Sequence, residues 1–275
     1  TTILNAYGLS ADKAGTLTSQ MMAAVGAGKM TMQDFASSLS AVLPKAAAAG
    51  ISFQDVSAVM ATMTAQGTSA AEASQQIANS IGSLQSPTQE MRQQLAQVGL
   101  DSQDLAEHLG DRGLSGTMTM ISEAIIAHMG PAGVELQSAF NQSKTAAEDA
   151  DRMFQNLPAS LQKVADAYKS GTMTSGEWRS AMKDLPAAEK PLLTSWKAQQ
   201  DAANGFTTKL KDGSEASQTF AQALQSATGT SSAMAVALQT TGTHTEALQG
   251  NLKAISSATV DAEGNVKGFA LAQED

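Results

Sequence analysis

The chain has 275 residues, of which 42% are apolar and 16% are charged, and it contains three histidines and no cysteine. The absence of cysteine excludes disulfides, thiolate catalysis and cysteine-type zinc sites. A net charge of −9, with 17 Lys and Arg residues scattered singly, disfavours nucleic-acid binding because no basic stripe can neutralise phosphates. No run approaches the roughly 18 apolar residues that a membrane span needs.

The first half of the sequence predicts a series of short amphipathic helices. Apolar residues recur every three or four positions, for example at Leu17, Met21 and Val25. This spacing predicts helices at about 10–27, 32–48, 53–66, 70–84, 87–98, 102–110 and 116–129. No strand is predicted before residue 258.

Three junctions between these helices share one pattern, in which glycine is followed by an apolar residue and then by Ser or Asp. They are Gly8-Leu9-Ser10, Gly50-Ile51-Ser52 and Gly99-Leu100-Asp101. The glycine can adopt the left-handed conformation that ends a helix, and the Ser or Asp can cap the next one. We also expect Ser86 to cap a helix whose first residue is Pro87.

Two other segments share a different helix-start pattern. They are Met30-Thr31-Met32-Gln33-Asp34-Phe35 and Met173-Thr174-Ser175-Gly176-Glu177-Trp178. In each, the threonine is expected to be the N-cap and the acid three residues later to complete a capping box. We interpret the similarity as convergence on good capping chemistry, since six positions are too few to establish a duplication.

Beyond Gly130-Pro131 the predicted helices are longer. We expect helices at about 131–156, 159–169 and 187–210, followed by a segment rich in Thr, Ser, Gln and Ala with weak apolar faces. Near the end, Glu263-Gly264-Asn265 predicts the turn of a small hairpin, or else a flexible tail. The sequence therefore predicts an all-α fold with domains at 1–130, 131–258 and 259–275.

Residues that could bind metal or act as catalysts are few and isolated. The histidines at 108, 128 and 244 have no partner at metal-ligand spacing, and we interpret them as surface or helix-end residues. The acids Asp101, Asp104, Glu107 and Asp111 have helical spacing, which is more typical of a solvated face than of a calcium site. We predict no catalytic, cofactor or metal site.

Two features bear on how this chain meets other molecules. Its 14 methionines occur mostly in clusters, for which filling a flexible core is preferred over forming an adaptable binding surface. Bulky residues are too few to fill a large core, so we expect another chain to cover part of the two longest helices. The faces concerned carry Phe140, Phe154, Trp196 and Phe206.

Several landmarks before Gly130 resemble the conserved domain of tailed-phage tape measure proteins. In chain order they are 4–14, 25–35, 42–52, Ser86-Pro87-Thr88 and Gly99-Leu100, and beyond Gly130 the resemblance fades. It implies a minor virion protein that helps to assemble the tail, sets its length, occupies the tube lumen and leaves with the DNA during ejection. It also implies several identical copies, arranged as a trimer, that contact tail tube and tail-tip proteins. The host cytoplasm would be the site of assembly.

Two other classes of protein remain open at this level. One is a cell-wall lytic domain that acts through a single glutamate, for which Glu72, Glu107, Glu123 and Glu135 are candidates. The 11 aromatic residues (2 Trp, 2 Tyr and 7 Phe) offer few platforms for sugars. The other class is a cellular helical scaffold or adaptor. Because the sequence opens at Thr1 in mid-pattern, we expect it to be a piece of a longer protein.

Overall fold

The computed structural model describes residues 2–169, 173–241, 244–260 and 266–267. Within these ranges the chain is all-α, which confirms the predicted fold class. The helices before Gly130 are α1 Thr2–Ala6, α2 Ala14–Ala27, α3 Met32–Ala48, α4 Phe53–Ala65, α5 Ala70–Gln85, α6 Gln89–Gln97, α7 Ser102–Glu107 and α8 Leu109–His128. A short 3-10 turn, Ala11–Lys13, precedes α2.

The helices after Gly130 include the longest one in the described part of the chain. They are α9 Pro131–Gln155, α10 Ala159–Lys169, α11 Ser175–Asp184, α12 Lys190–Ala203, α13 Gly205–Leu210, α14 Glu215–Thr228, α15 Ser231–Thr240 and α16 Thr245–Ser257. Two short strands, β1 Thr259–Val260 and β2 Val266–Lys267, pair antiparallel with Val260 opposite Val266. The turn predicted at Glu263-Gly264-Asn265 lies outside the described residues.

The three glycine junctions are built alike, as the sequence predicts. Gly8, Gly50 and Gly99 have φ values of 61°, 71° and 75°. In each case the N–H of the following apolar residue bonds to the carbonyl five positions earlier, with Ile51 donating to Ala46 O at 2.9 Å. This six-to-one bond is the signature of a Schellman motif, which satisfies carbonyls that the helix end leaves unpaired.

The two threonine caps are also confirmed. The Asp34 N–H donates to Thr31 Oγ1 at 3.1 Å, and the Glu177 N–H donates to Thr174 Oγ1 at 3.2 Å. Each acid returns the bond by accepting from the backbone N–H of its threonine, so both capping boxes are complete. The local sequence therefore fixes where α3 and α11 begin.

The prediction that Ser86 caps α6, with Pro87 as its first residue, is wrong. The N-cap is Thr88, whose hydroxyl accepts from the Met91 N–H at 3.2 Å, and Pro87 precedes it. Ser86 instead terminates α5, because its N–H bonds to Gly82 O at 3.1 Å. The end of α5 and the start of α6 both fall on these three residues, and the sequence does not show whether Ser86 ends the first helix or caps the second.

The helices predicted at 102–110 and 116–129 are divided differently in the structure. α7 ends at Glu107, and α8 starts at Leu109 with an interruption at Gly113, where φ is 69°. A Cβ at Gly113 would lie 3.0 Å from the Asp55 carboxylate. The interruption therefore lets the backbone of α8 pass close to the start of α4, a position that favours glycine.

The single helix predicted at 187–210 is also wrong, because α12 and α13 meet at a break at Asn204. The Phe206 N–H donates to the hydroxyl of Ser143 on α9 at 2.8 Å. The Phe206 ring then packs edge-on against Phe140 and Phe220, with centroids 5.1 and 6.0 Å away. Burial of this ring between two others redirects the chain.

Most buried side chains belong to one main core, which joins the two ends of the described chain. α16 packs on α4, α15 on α5 and α14 on α6. Polar side chains reinforce this seam: Gln66 Nε2 donates to Gln239 O and Asn251 Nδ2 donates to Thr62 Oγ1, each at 2.9 Å. The main core thus draws on residues from both sides of Gly130. We call the helices around it, residues 2–143 and 203–258, the main body.

A second, smaller core lies in residues 144–202, which we call the lobe. It is formed by the end of α9 together with α10, α11 and α12, and it buries Ala150, Leu161, Leu193 and Trp196. α9 and α12 run antiparallel, since Ser143 meets Ala202 at one end and Phe154 meets Trp196 at the other. Three alanines, Ala146, Ala147 and Ala203, form a separate small cluster between the two cores.

The capping boxes lead to a stability prediction. Replacing Thr31 with alanine removes the acceptor for the Asp34 N–H, so we expect the free energy of unfolding to fall by about 1 kcal/mol. Thr31→Ser keeps a hydroxyl and is the matched control. Urea titration followed by far-UV circular dichroism measures both variants, and equal stability of the two would contradict the capping argument.

A close approach of two backbones leads to a second prediction. A Cβ at Gly110 would lie 2.9 Å from the carbonyl oxygens of Ala49 and Gly50, whereas one at Gly15 would meet nothing within 4 Å. We therefore expect Gly110→Ala to destabilise the fold by about 1–3 kcal/mol. Gly15→Ala, in the first turn of α2, should be neutral or stabilising by up to about 1 kcal/mol. The same titration distinguishes them, and a neutral Gly110→Ala would contradict the close contact.

Candidate functional site

The four glutamates considered for lytic chemistry lie on four different helices, and all are exposed. Glu72 and Glu107 accept hydrogen bonds from glutamines one turn away, at 3.0 and 2.8 Å. Glu135 pairs with Lys209 at 2.9 Å. A glycosidase acid needs apolar surroundings that keep it protonated, and usually a second carboxyl nearby. The structure gives none of these three exposed glutamates such apolar surroundings. The Asp212 carboxylate lies near Glu135, but it binds the same Lys209 at 3.2 Å.

Glu123 lies at the edge of a groove between α8 and α16 that has a volume of about 320 Å³. Small and apolar side chains form most of the wall. The lining residues are Ser115, Gly116, Thr119, Met120, Glu123, Leu248 and Gln249. None of them is aromatic, and Glu123 is the only carboxylate among them, so the groove lacks both a sugar platform and a catalytic pair.

Two of the four acids near α7 have separate structural roles. Asp101 accepts from the Gln103 N–H at 2.8 Å and thereby caps α7. Asp104 forms an ion pair with Arg112 at 2.6 Å. These bonds use the carboxylates for capping and for joining α7 to α8. In the ranges that the structure describes, no group of three or more His, Asp or Glu side chains could hold a metal ion.

Two of the histidines fit their interpretation as helix-end residues. The Nδ1 atom of His108 lies 3.1 Å from Asp104 O, and that of His128 lies 2.8 Å from Ala124 O. His244 is different, because it is half-buried at the start of α16. Its burial, with a smaller effect of Lys211, lowers the pKa of His244 to about 4. The interpretation of His244 as an ordinary helix-end residue missed this burial.

The burial of His244 leads to a pH prediction. The folded state keeps this imidazole neutral, whereas the unfolded state binds a proton near the ordinary pKa of 6.5. Folding stability is therefore lost as the pH falls from about 6.5 to 4, by at most about 3 kcal/mol. His244→Gln should reduce this loss because it removes the buried imidazole. Urea titrations at pH 7, 5.5 and 4 measure it, and an unchanged pH profile of His244→Gln would contradict the prediction.

The lobe gathers an aromatic cluster that the sequence interpretation missed. Lys197 Nζ lies 4.5 Å from the centroid of the Tyr168 ring and 5.7 Å from that of Trp178. Asp201 accepts hydrogen bonds from both Lys197 and the Tyr168 hydroxyl. The two rings lie 4.9 Å apart, so the cluster joins α10, α11 and α12. Both tryptophans of a chain poor in aromatics follow Tyr168 closely in the sequence, which is the signal that could have revealed it.

The same cluster shifts two ionisation equilibria. Burial, followed by the hydrogen bond to Asp201, raises the pKa of Tyr168. Burial alone would lower the pKa of Lys197, but the bonds to Asp201 and Tyr168 outweigh it and raise this pKa. Lys197 therefore remains charged at neutral pH and supplies the cation of the cation–π contact. The arrangement holds three helices together and presents no unpaired reactive group.

The expectation that another chain covers the long helices is wrong for three of its four named residues, and Phe154 is half-buried. Phe140, Trp196 and Phe206 are 2%, 0% and 1% exposed within the single chain, and Phe154 packs against Trp196. α9 and α12 cover each other, and α13 turns its ring into the main core. The methionine interpretation is confirmed for Met60, Met63 and Met118, which are fully buried. No described helix has the length and apolar character needed to cross a membrane.

Comparison with known proteins identifies the class of this molecule as a phage tail protein. Residues 1–190 match the model of the phage-related minor tail protein family, and the chain belongs to this family. The match continues well past Gly130, where the resemblance was expected to fade, and ends at the start of α12. Searches of curated proteins and of solved structures found no match. A structural role in the phage tail, partners within the tail and association with the virion follow from the family.

Proposed function

We propose that the chain is part of a tape measure protein, which assembles the tail, sets its length, occupies the tube lumen and leaves during DNA ejection. The family match over residues 1–190 is the observation that carries this proposal. The order of glycine junctions and caps before Gly130 supports the finer assignment, because the structure builds these landmarks as helix ends. No catalytic role is proposed, since the four candidate glutamates are exposed and dispersed.

The main body is the better candidate for docking against other tail proteins than residues 1–130 alone. α14, α15 and α16 complete the core that α4, α5 and α6 begin. Phe220 and Leu224, which lie in the segment expected to have only weak apolar faces, are fully buried there. Residues 1–130 without these helices would expose a large part of the main core to water. We therefore extend the proposed docking module to 203–258 and leave the lobe outside it.

This segment does not serve as a length-measuring rod in its folded form. A straight helix of 275 residues would reach about 410 Å, whereas α9, with 25 residues, spans about 38 Å. Glycine breaks and helix caps along this segment fold the chain back on itself after every few helical turns. We propose that the length-determining helix lies mainly in another part of the protein.

The proposed partners are other copies of the chain, arranged as a trimer about the tail axis, and the tail tube and tail-tip proteins. These partners rest on the family, because the buried aromatic residues no longer argue for a second copy. The charge supports a lumenal location: residues 144–202 hold eight basic and eight acidic residues, so the net charge of −9 lies on the rest of the chain. An acidic body repels the DNA that follows it through the same tube.

The position of the lobe allows a direct test of docking against measuring. Ser143 and Phe206, which flank the lobe on either side, are joined by a hydrogen bond. A short Gly-Ser linker can therefore replace residues 147–202 in the phage gene. If the segment only docks, tails of normal length should form. If it measures length, tails should shorten by about 84 Å, at about 1.5 Å per residue removed. Electron microscopy of purified tails measures the difference.

Two comparison variants complete this experiment. Deletion of residues 1–130 should abolish tails or misassemble them, since it removes most of the main body. In-frame deletions in helical regions of the protein outside this segment should shorten tails in proportion to the residues removed. Tails that keep their normal length when those other helical regions are deleted would contradict the tape measure role. A lobe deletion that shortens tails by about 84 Å would contradict the docking role alone.

A further inference from the structure

The lobe makes its stabilising contacts almost entirely within itself. α10 and α12 pack on α9, and α10 also packs on α11 and α12. Its ion pairs are internal as well, since Lys169 pairs with Asp151 and Lys197 with Asp201. Each of these interactions is kept or lost with the lobe, and none depends on a side chain of the main body.

The connection between the lobe and the main body is narrow. We call this connection the neck. Its buried apolar residues are Ala146, Ala147 and Ala203, and alanine contributes little apolar area. Ser143 Oγ donates to Ala202 O at 3.4 Å and accepts from the Phe206 N–H at 2.8 Å. Both residues of the second bond, Ser143 and Phe206, belong to the main body, so this bond can persist when the lobe unfolds.

The two cores differ greatly in size. Among the described residues, the lobe core has six buried apolar residues, whereas the main core has 41. An isolated unit of about 60 residues is marginally stable even with a good core. A unit with few buried residues and few contacts to its neighbour is the kind of segment that opens before the rest of a protein.

We infer that residues 144–202 are a separately unfolding unit, which opens while the main body stays folded. The inference rests on the two cores and the neck, and it does not depend on the tape measure role. It gives the protein two states that share one folded main body: one with the lobe folded, and one with the chain between Ser143 and Ala203 unfolded. The closeness of Ser143 and Phe206 lets the body tolerate either state.

The placement of the tryptophans makes this testable in the full chain. Both tryptophans, Trp178 and Trp196, lie in the lobe, so tryptophan fluorescence reports on the lobe alone. Far-UV circular dichroism reports mainly on the main body, which holds most of the helices. In a urea titration we expect the fluorescence midpoint to fall below the circular dichroism midpoint. Coincident transitions in the two signals would overturn the inference.

Two matched core variants assign each transition to its unit. Leu161→Ala, in the lobe core, should lower the equilibrium constant for folding of the lobe by about 30-fold or more. It should lower only the fluorescence midpoint. Leu84→Ala, in the main core, should lower the circular dichroism midpoint. Both leucines are buried, at 0% and 2% exposed. If Leu161→Ala lowers both midpoints together, the chain unfolds as one unit and the inference is wrong.

Hydrogen exchange gives an independent reading that does not depend on which variant folds. Peptides from 144–202 should exchange as one group, faster than peptides from α3, α4 and α5. Leu161→Ala should speed up only the first group. Should Leu161→Ala leave the lobe unfolded in water, unchanged protection of α3 to α5 supports the inference, and loss of that protection overturns it.

Discussion

The fold depends on one constraint: its interior has to be built almost without aromatic side chains, since 2 Trp, 2 Tyr and 7 Phe are all that 275 residues provide. Alanine, methionine and branched aliphatic residues fill the main core instead. Small side chains bury little area each, so many helices must pack closely to exclude water. Gly110 allows such an approach, because any Cβ there would touch the backbone at Gly50.

This constraint explains why helices far apart in sequence share one core. α14 to α16 lie in a segment expected to have only weak apolar faces, yet they cover α4, α5 and α6. Each side alone would expose the apolar faces along which these helices meet. The aromatic residues are used where directions change, as in the Phe140, Phe206 and Phe220 row that turns α12 into α13. The main core therefore joins into one unit helices that lie far apart in the sequence.

The sequence predicts well the features that depend on a few neighbouring residues. Schellman motifs and capping boxes are decided within a turn or two of helix, which is why Gly50, Gly99, Thr31 and Thr174 behave as expected. Apart from the wrong cap at Ser86, where two helix ends meet, the features that it missed depend on distant partners. The break at Asn204 is set by Ser143, and the burial of His244 arises from packing that no local pattern encodes. The self-association argument failed for the same reason, because it treated apolar stripes as unpaired when α9 and α12 cover each other.

The candidate site follows the same division. Isolated histidines and exposed acids could be recognised locally, whereas the aromatic cluster of the lobe required the fold to bring Tyr168, Trp178 and Lys197 together. For a tail protein, this division has a physical consequence. Local caps fix where each helix begins and ends, whereas a core made of many small contacts has no single dominant anchor. Tertiary packing supplies most of the stability of such short helices, so a unit with few buried residues loses its helices before the rest of the chain.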